Sequence, residues 1–141
     1  MKVTYTKMHP DAQLPSKGSD GAAAYDLYSM ENVYIPPGEI AIVNTGIAMQ
    51  IPKGWKGEIY SRSGMAAKGI LVANSPGKID SDYRGEVKVI LYNSRNELVG
   101  IQSKDRIAQF EINPTHDIEW VKATDLELTS RGDKGFGSTG S

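Results

Sequence analysis

Short runs rich in valine, isoleucine and tyrosine recur along the whole chain, and turn residues separate them. Pro36-Pro37-Gly38, Pro52-Lys53-Gly54 and Pro76-Gly77 lie between runs, where proline and glycine favour tight turns. Few runs exceed seven residues, a pattern typical of an all-β barrel or sandwich. The predicted strands are Lys2–Thr6, Glu39–Asn44, Ile47–Ile51, Glu58–Tyr60, Glu86–Tyr92, Arg106–Ile112 and Ile118–Val121.

Only one segment favours a helix. Met65, Ala66 and Ala67 have high helix propensity, and Gly69 suits the left-handed conformation that ends many helices. The sequence therefore predicts one short helix over Ser63–Lys68 in an otherwise all-β domain.

Composition narrows the functional classes. The 141 residues, 39% of them hydrophobic, suffice for a single packed domain. A net charge of -1 lacks the positive field that binds polymeric nucleic acid, so we expect no such partner. The absence of cysteine excludes disulfides, thiolate zinc sites and a cysteine nucleophile. Without a leader-like start or a membrane-length apolar run, we expect a soluble intracellular protein with no membrane partner.

The last twelve residues, Ser130–Ser141, are rich in glycine, serine and threonine, and Phe136 is their only large apolar side chain. Such a segment cannot build a core by itself. We therefore predict a β domain over residues 1–129 and a flexible glycine-rich arm over residues 130–141, which could close over a site as a lid.

The arm also carries groups that bind phosphate. Backbone amides of glycine, the hydroxyls of Ser138 and Thr139 and the guanidinium of Arg131 all suit phosphate oxygens. Phe136 lies between glycines, where its ring is free to stack on a base. The order of these residues is not that of a Walker A loop, and a plain disordered terminus is the alternative interpretation.

Two further segments carry reactive groups. Asp80-Ser81-Asp82-Tyr83-Arg84-Gly85 is predicted in or beside a hairpin, with one carboxylate at most acting as a general base and Tyr83 packing on a sugar. A solvated acidic turn is the alternative. The helix begins with Ser61-Arg62-Ser63-Gly64, whose hydroxyls, free N–H groups and guanidinium predict a second phosphate site. The alternative is a serine N-cap beside a surface arginine.

The remaining polar residues are less informative. Arg106 and Gln109 lie in one predicted strand, three residues apart, so strand alternation predicts that they point to opposite faces. His9 and His116 stand in polar, proline-adjacent stretches, and we expect both at the surface without a functional role.

Taken in order, these segments resemble the trimeric dUTPase family. Nearly the whole chain takes part, and five segments match the family motifs in order and spacing. They are Ala23–Ser29, Ser61–Ala66, Asn74–Gly85, Asp105–Gln109 and Arg131–Gly140.

This resemblance implies a distorted jelly-roll or barrel-like β fold and a homotrimer with active sites at subunit interfaces. It implies hydrolysis of dUTP to dUMP and pyrophosphate with Mg²⁺, which limits uracil in DNA and supplies dUMP for dTMP synthesis. Water is expected to attack the α-phosphorus in line, and positioning and charge neutralisation to provide most of the rate gain.

The resemblance also assigns roles to residues. Asp80 is expected to be the general base, and Asn74 to hold uracil and water. The backbone of Gly77–Ile79 would read uracil and exclude a 5-methyl group, while Tyr83 would exclude a 2′-hydroxyl. Asp26 would contact Mg²⁺ only through water, because magnesium keeps several waters. The phosphate and lid residues would be Arg62, Ser63, Gly64, Gln109, Arg131, Phe136, Gly137, Ser138 and Thr139.

Three positions depart from the family motifs. Ala24 and Lys134 stand where glycine is usual, and Lys78 where valine or leucine is usual. None of the three removes a reacting group. Two alternatives remain: a dCTP deaminase, which shares the fold, and a catalytically silent nucleotide-binding module. Residues alone leave open a cellular or viral source, and cytoplasm or nucleus as the location.

Overall fold

The computed structural model describes residues 1–137 and residue 140. Its secondary structure consists of short antiparallel strands and a helix of four residues. In chain order the elements are β1 (Thr4–Lys7), β2 (Tyr25–Tyr28), β3 (Val33–Ile35), β4 (Ile40–Gln50), β5 (Trp55–Tyr60), α1 (Ser63–Ala66), β6 (Ile70–Val72), β7 (Gly77–Ile79), β8 (Glu86–Asn93), β9 (Val99–Ile101) and β10 (Arg106–Pro114).

The strands form two four-stranded sheets and one two-stranded sheet. The first sheet has the order β1-β4-β8-β6, the second β2-β10-β5-β7, and the small sheet pairs β3 with β9. Within the described residues each of these sheets has two edge strands and none closes into a barrel. The all-β prediction with one short helix is thus confirmed, in the form of open packed sheets.

The buried faces of the two larger sheets meet in one apolar core. Leu27 of β2, Val43 of β4, Leu91 of β8 and Ile107 of β10 are each 0–1% exposed and belong to the same cluster. Each buried side chain of this size contributes roughly 1.5–3 kcal/mol relative to exposure in water. On β8 the buried residues alternate with partly exposed ones, as expected for a strand with one face in a core.

Most predicted strands are present with shifted ends. The predictions near β1, β5, β8 and β10 are confirmed, and the runs Glu39–Asn44 and Ile47–Ile51 join into the single strand β4. A register shift between Asn44 and Ala48 marks the junction, where Gly46 has a φ of 71°. Sequence analysis divided this strand because a glycine at a bulge resembles a turn.

The strand predicted over Ile118–Val121 is wrong. These residues lie beyond β10 and form no strand, and Trp120 is 88% exposed. β-branched and aromatic residues favour a strand only where a partner supplies backbone hydrogen bonds. The backbone of Thr115 still donates to the carbonyl of Gly54 at 2.8 Å, but the described residues from 116 to 137 pair with no strand.

The helix is also shorter than predicted, because α1 ends at Ala66 rather than Lys68. Lys68 and Gly69 instead donate to the carbonyls of Met65 and Ala66, three residues back, in a tighter final turn. Gly69 has a φ of 85°, which confirms the predicted left-handed glycine after the helix.

Candidate active site

A buried carboxylate, Asp26 of β2, lies at the centre of a charged cluster. Asp26 is 6% exposed, and a carboxylate at that burial needs compensating charge. Arg62 Nε lies 3.2 Å from Asp26 Oδ1, and Arg106 Nη1 lies 3.8 Å from Asp26 Oδ2. Arg62 also donates from Nη1 to the backbone oxygen of Arg106 at 3.0 Å. These three residues are called the Asp26 cluster below, and their net positive charge suits an anion.

A β-bulge in β10 brings Gln109 to the same side as Arg106. Strand alternation predicted opposite faces for these two residues, and that prediction is wrong. The register with β2 shifts between Arg106 and Ala108, so that Arg106 pairs with Tyr28 and Gln109 pairs with Asp26. Because paired residues share a face, and Asp26 and Tyr28 are two apart on one strand, the bulge aligns both side chains with the Asp26 cluster.

The segment before α1 positions Arg62 by tying its neighbour to other strands. The Ser61 hydroxyl accepts the N–H of Val72 at 2.8 Å. Arg62 occupies the N-cap position with extended backbone and no side-chain cap, and Ser63 and Gly64 follow it at the exposed start of the helix. The alternative of a serine N-cap beside a surface arginine is therefore wrong, because Arg62 is the cap and is ion-paired with Asp26.

A cavity of about 220 Å³ lies between the β7 region and β8. All five residues predicted to hold the base, sugar and water line it: Asn74, Gly77, Ile79, Asp80 and Tyr83. A Cβ at Gly77 would lie 3.0 Å from Asn74 Nδ2, so glycine at this position permits the close approach of the Asn74 amide. The structure thus gathers an amide, a carboxylate and an aromatic ring around one small cavity.

The Asp80–Glu86 segment, which carries the carboxylate of Asp80 and the ring of Tyr83, does not close a hairpin. β7 pairs with β5 in one sheet, whereas β8 pairs with β4 and β6 in the other, so the segment crosses between sheets. Asp80 lines the cavity and Asp82 does not. Glu86 also lines the cavity, but its carboxylate accepts the N–H of Gly46 at 2.8 Å, so Asp80 is the candidate base from this segment.

A second buried carboxylate, Glu58 of β5, connects three strands of the second sheet. It accepts hydrogen bonds from Lys78 at 2.8 Å, Tyr60 at 3.1 Å and Asn113 at 3.1 Å. The hydrogen bond from Lys78 is the main reason why the pKa of Glu58 falls to about 2, against the opposing effect of burial. The same bond raises the pKa of Lys78, and burial together with Glu58 raises that of Tyr60. Lys78, the departure from the family motif, thus pairs with a carboxylate that sequence analysis did not single out.

The arm residues that the structure describes lie apart from the cavity and from the Asp26 cluster. Phe136 is fully exposed, and Arg131 donates from Nε to the carbonyl of Lys134 at 2.8 Å, within the arm itself. Gly137 is exposed as well, while Ser138 and Thr139 lie outside the described residues. In this single chain, residues 130–137 and 140 of the arm contribute nothing to the cavity or to the Asp26 cluster.

The cavity and the Asp26 cluster are themselves separate. Among the described residues, the ion pairs and hydrogen bonds within the Asp26 cluster involve none of the residues that line the cavity. No group of three or more His, Cys, Asp or Glu side chains that could hold a metal ion occurs in residues 1–137 and 140. In the same residues no helix is long and apolar enough to cross a membrane.

Comparison with known proteins identifies the family of this chain. The family model for dUTPase matches residues 10–140. The deoxyuridine 5′-triphosphate nucleotidohydrolase of Nautilia profundicola is 46% identical over 141 residues, covering 99% of both chains. This chain belongs to the dUTPase family. The same enzyme from Wolinella succinogenes is 47% identical, covering 99% of this chain and 95% of its own. Hydrolysis of dUTP is accordingly the activity of this chain.

Solved dUTPase structures share the fold. The dUTPase of Staphylococcus bacteriophage 80alpha with dUPNHPP has a TM-score of 0.90 and 27% identity, covering 99% of both chains. A variant of the dUTPase of phage phi11, in which a structural Mg(II) ion is coordinated, has a TM-score of 0.83 and 24% identity over 91% of this chain. The second similarity shows the fold alone, which is the jelly-roll-like β fold expected from the motifs.

Proposed function

We propose that this dUTPase cleaves dUTP to dUMP and pyrophosphate by water attack on the α-phosphorus, with Asp80 as the general base. The observation that carries the proposal is the shared cavity of Asn74, Gly77, Ile79, Asp80 and Tyr83. A carboxylate at the edge of a cavity that holds base and sugar can accept the proton of a water aimed at the first phosphate. Asp80 takes that proton, oxygen bonds to phosphorus, and pyrophosphate leaves with the electrons of the broken bond.

Uracil selection is assigned to the strand β7. Gly77–Ile79 presents backbone N–H and C=O groups beside the Asn74 amide, and these groups suit the edge of uracil. Packing of backbone against the ring leaves no volume for the methyl group of thymine. Tyr83 lies against the deoxyribose in this scheme and denies space to a 2′-hydroxyl.

The Asp26 cluster is assigned to the phosphates. Arg62 and Arg106 place two guanidinium groups against one carboxylate, and Gln109 adds amide donors on the same face. Such fixed donors stabilise charge that develops as the α-phosphorus is attacked. Ser63 and Gly64 add exposed donors beside Arg62, and Arg131, Phe136, Gly137, Ser138 and Thr139 of the arm would complete the enclosure of the substrate.

The Asp26 cluster is net positive by itself, so Mg²⁺ would bind beside it only together with the substrate phosphates. Asp26 offers a single buried carboxylate, which suits an ion that keeps its waters and binds substrate phosphates, so Asp26 would contact it through water. When bound, the ion would neutralise phosphate charge. Chelation by EDTA should abolish turnover, and added Mg²⁺ should restore it.

The homotrimer is proposed from the family resemblance, and the incompleteness of the single chain supports sites shared between copies. The cavity measures about 220 Å³, below the roughly 300–1,000 Å³ of pockets that enclose a whole ligand. The Asp26 cluster and the exposed arm lie elsewhere in the chain. Three copies that exchange these parts would assemble each site from a cavity, a phosphate cluster and an arm. We extend the proposal to an intracellular role in limiting dUTP and supplying dUMP.

A pyrophosphate-release assay with dUTP, dTTP, dCTP and UTP tests the assignment. We expect turnover of dUTP alone at a substantial rate, because the other three differ at a 5-methyl, the 4-position or a 2′-hydroxyl. Ammonia release from dCTP would instead favour a deaminase. Comparable rates with dUTP and UTP would contradict the role of Tyr83.

A further inference from the structure

Tyr83 is held by hydrogen bonds at both its hydroxyl and its backbone N–H. Its hydroxyl donates to the backbone oxygen of Glu86 at 2.9 Å, and its N–H donates to the backbone oxygen of Asp80 at 3.1 Å. Tyr83 also lines the cavity and is 44% exposed. The loop that carries the proposed base therefore also fixes the orientation of the ring.

Gly85 leaves the room that this orientation requires. A Cβ at Gly85 would fall within 3.0 Å of the Oη, Cζ and Cε2 atoms of Tyr83. The backbone of Gly85 is outside the left-handed region, so alanine can adopt it without strain. The collision with the ring is thus the physical reason for glycine here. Because the colliding atoms are the far end of a flexible side chain, the ring and not the backbone would move.

The carbonyl that holds the Tyr83 hydroxyl is itself fixed by the first sheet. The carboxylate of Glu86 accepts the N–H of Gly46 at 2.8 Å, at the bulge of β4. The neighbouring Thr45 donates from its hydroxyl to the backbone oxygen of Val87 at 2.6 Å. Two bonds between a side chain and the backbone, at the first two residues of β8, hold the acceptor in place. The orientation of the Tyr83 ring is therefore fixed by the first sheet and not by the loop alone.

We propose that Gly85 is a specificity-determining position of this enzyme, which acts by seating the Tyr83 ring where it excludes a 2′-hydroxyl. The inference rests on the proposed contact between Tyr83 and the deoxyribose. Gly85 is a positioning residue, since it reaches the substrate only through Tyr83. An alanine at this position displaces the ring, breaks the bond to Glu86 and opens space beside C2′.

The test compares kcat/KM for dUTP and for UTP in wild type, Gly85→Ala, Tyr83→Ala and the double variant. In Gly85→Ala we expect the dUTP-to-UTP ratio to narrow by roughly tenfold, the scale of a lost steric or polar discrimination. In the double variant Gly85→Ala should add nothing to Tyr83→Ala, because the ring that it displaces is gone. Gly21→Ala is the matched control, since a Cβ there meets nothing within 4 Å.

The four proteins separate the possible failures. If Tyr83→Ala narrows the dUTP-to-UTP ratio and folded Gly85→Ala does not, the proposed role of Gly85 is wrong while that of Tyr83 stands. If Tyr83→Ala leaves this ratio unchanged, the proposed roles of Tyr83 and of Gly85 are both wrong. If Gly85→Ala alone does not fold, folding of the double variant supports a collision with the ring. Failure of the double variant to fold, with Tyr83→Ala folded, overturns the inference.

Discussion

The Asp26 cluster and the C-terminal arm carry the same predicted ligand, phosphate, on opposite kinds of support. Asp26 and Gln109 sit on paired strands, and an ion pair fixes Arg62 against the buried carboxylate. Arg131 instead hydrogen-bonds within the arm, and the Phe136 ring is fully exposed. Strand-held groups are positioned before substrate arrives, whereas in the proposed function the groups on the arm are ordered only by binding. The difference separates what one chain organises by folding from what it leaves to assembly and substrate.

The largest effect is expected at the cavity beside β7, whose groups are positioned by folding, as are those of the Asp26 cluster. Asp80→Asn should lower turnover by about 10²–10⁴-fold with dUTP binding largely retained, because an amide cannot accept the proton of the attacking water. Single-turnover rates and equilibrium binding of dUTP measure the two quantities. Asp82→Asn is the control, since this neighbouring carboxylate does not line the cavity. Near-normal turnover of folded Asp80→Asn would remove Asp80 from the mechanism.

Removal of the arm tests the other side of the comparison. Deletion of Ser130–Ser141 should leave a folded protein whose kcat/KM falls by roughly a hundredfold, since enclosure is lost while the core is untouched. Thermal melting and pyrophosphate release report the two effects. A truncated protein that fails to fold would show that the arm is structural and that the lid assignment is wrong.

A mixture of two variants tests whether the cavity of one chain and the arm of another serve the same site. Asp80→Asn chains supply an intact arm, and arm-deleted chains supply Asp80. After subunit exchange, verified by mass spectrometry of the mixed assemblies, we expect partial recovery of activity above either parent. Exchange without any recovery would argue against shared sites.

The smallest effect concerns the Glu58 network that joins β7 to β5 and β10. The folded-state pKa of about 2 lies below the ordinary 4.5, so the contribution of Glu58 to stability is present above pH 4.5 and lost as the pH falls toward 2. Between pH 4.5 and pH 2, the free energy of unfolding of Glu58→Gln should therefore fall less steeply than that of the wild type. Urea midpoints at pH 5, 4 and 3 measure it, with the exposed Glu119→Gln as control. Identical pH profiles for wild type and Glu58→Gln would contradict the pairing.

Residue order and local chemistry were sufficient to predict the class of fold and to select Asp80 and Tyr83, whereas Asn74 and Gly77 came from the family resemblance. All four lie within ten residues, so a single turn between sheets could gather them. The long strands β8 and β10 were also predictable, because their runs are rich in β-branched and aromatic residues, whereas β4 was predicted as two strands. Short edge strands such as β6 and β7 were missed, since three residues carry too little pattern to predict a strand.

The Asp26 cluster could not be derived from alternation. Its geometry depends on a bulge that adds one residue between Arg106 and Ala108, and nothing local in the sequence signals that insertion. Glu58 was missed for a related reason: its partners Lys78 and Asn113 lie on two other strands, and only the sheet register brings them together. Long-range pairing therefore fixed what local reasoning left open.

The crossing of the chain between sheets has a consequence for how the enzyme acquires activity during synthesis. β5, β6, β7 and β8 alternate between the two large sheets, and Asp26 near the start must pair with Gln109 near the end. Contacts so distant along the chain form slowly, typically in milliseconds to seconds for β-rich domains. No partly folded fragment can hold the cavity and the Asp26 cluster at once. Recovery of dUTP hydrolysis after dilution from urea should therefore lag behind the recovery of strand content, because a complete site requires the fully folded chain and, in the proposed homotrimer, its assembly.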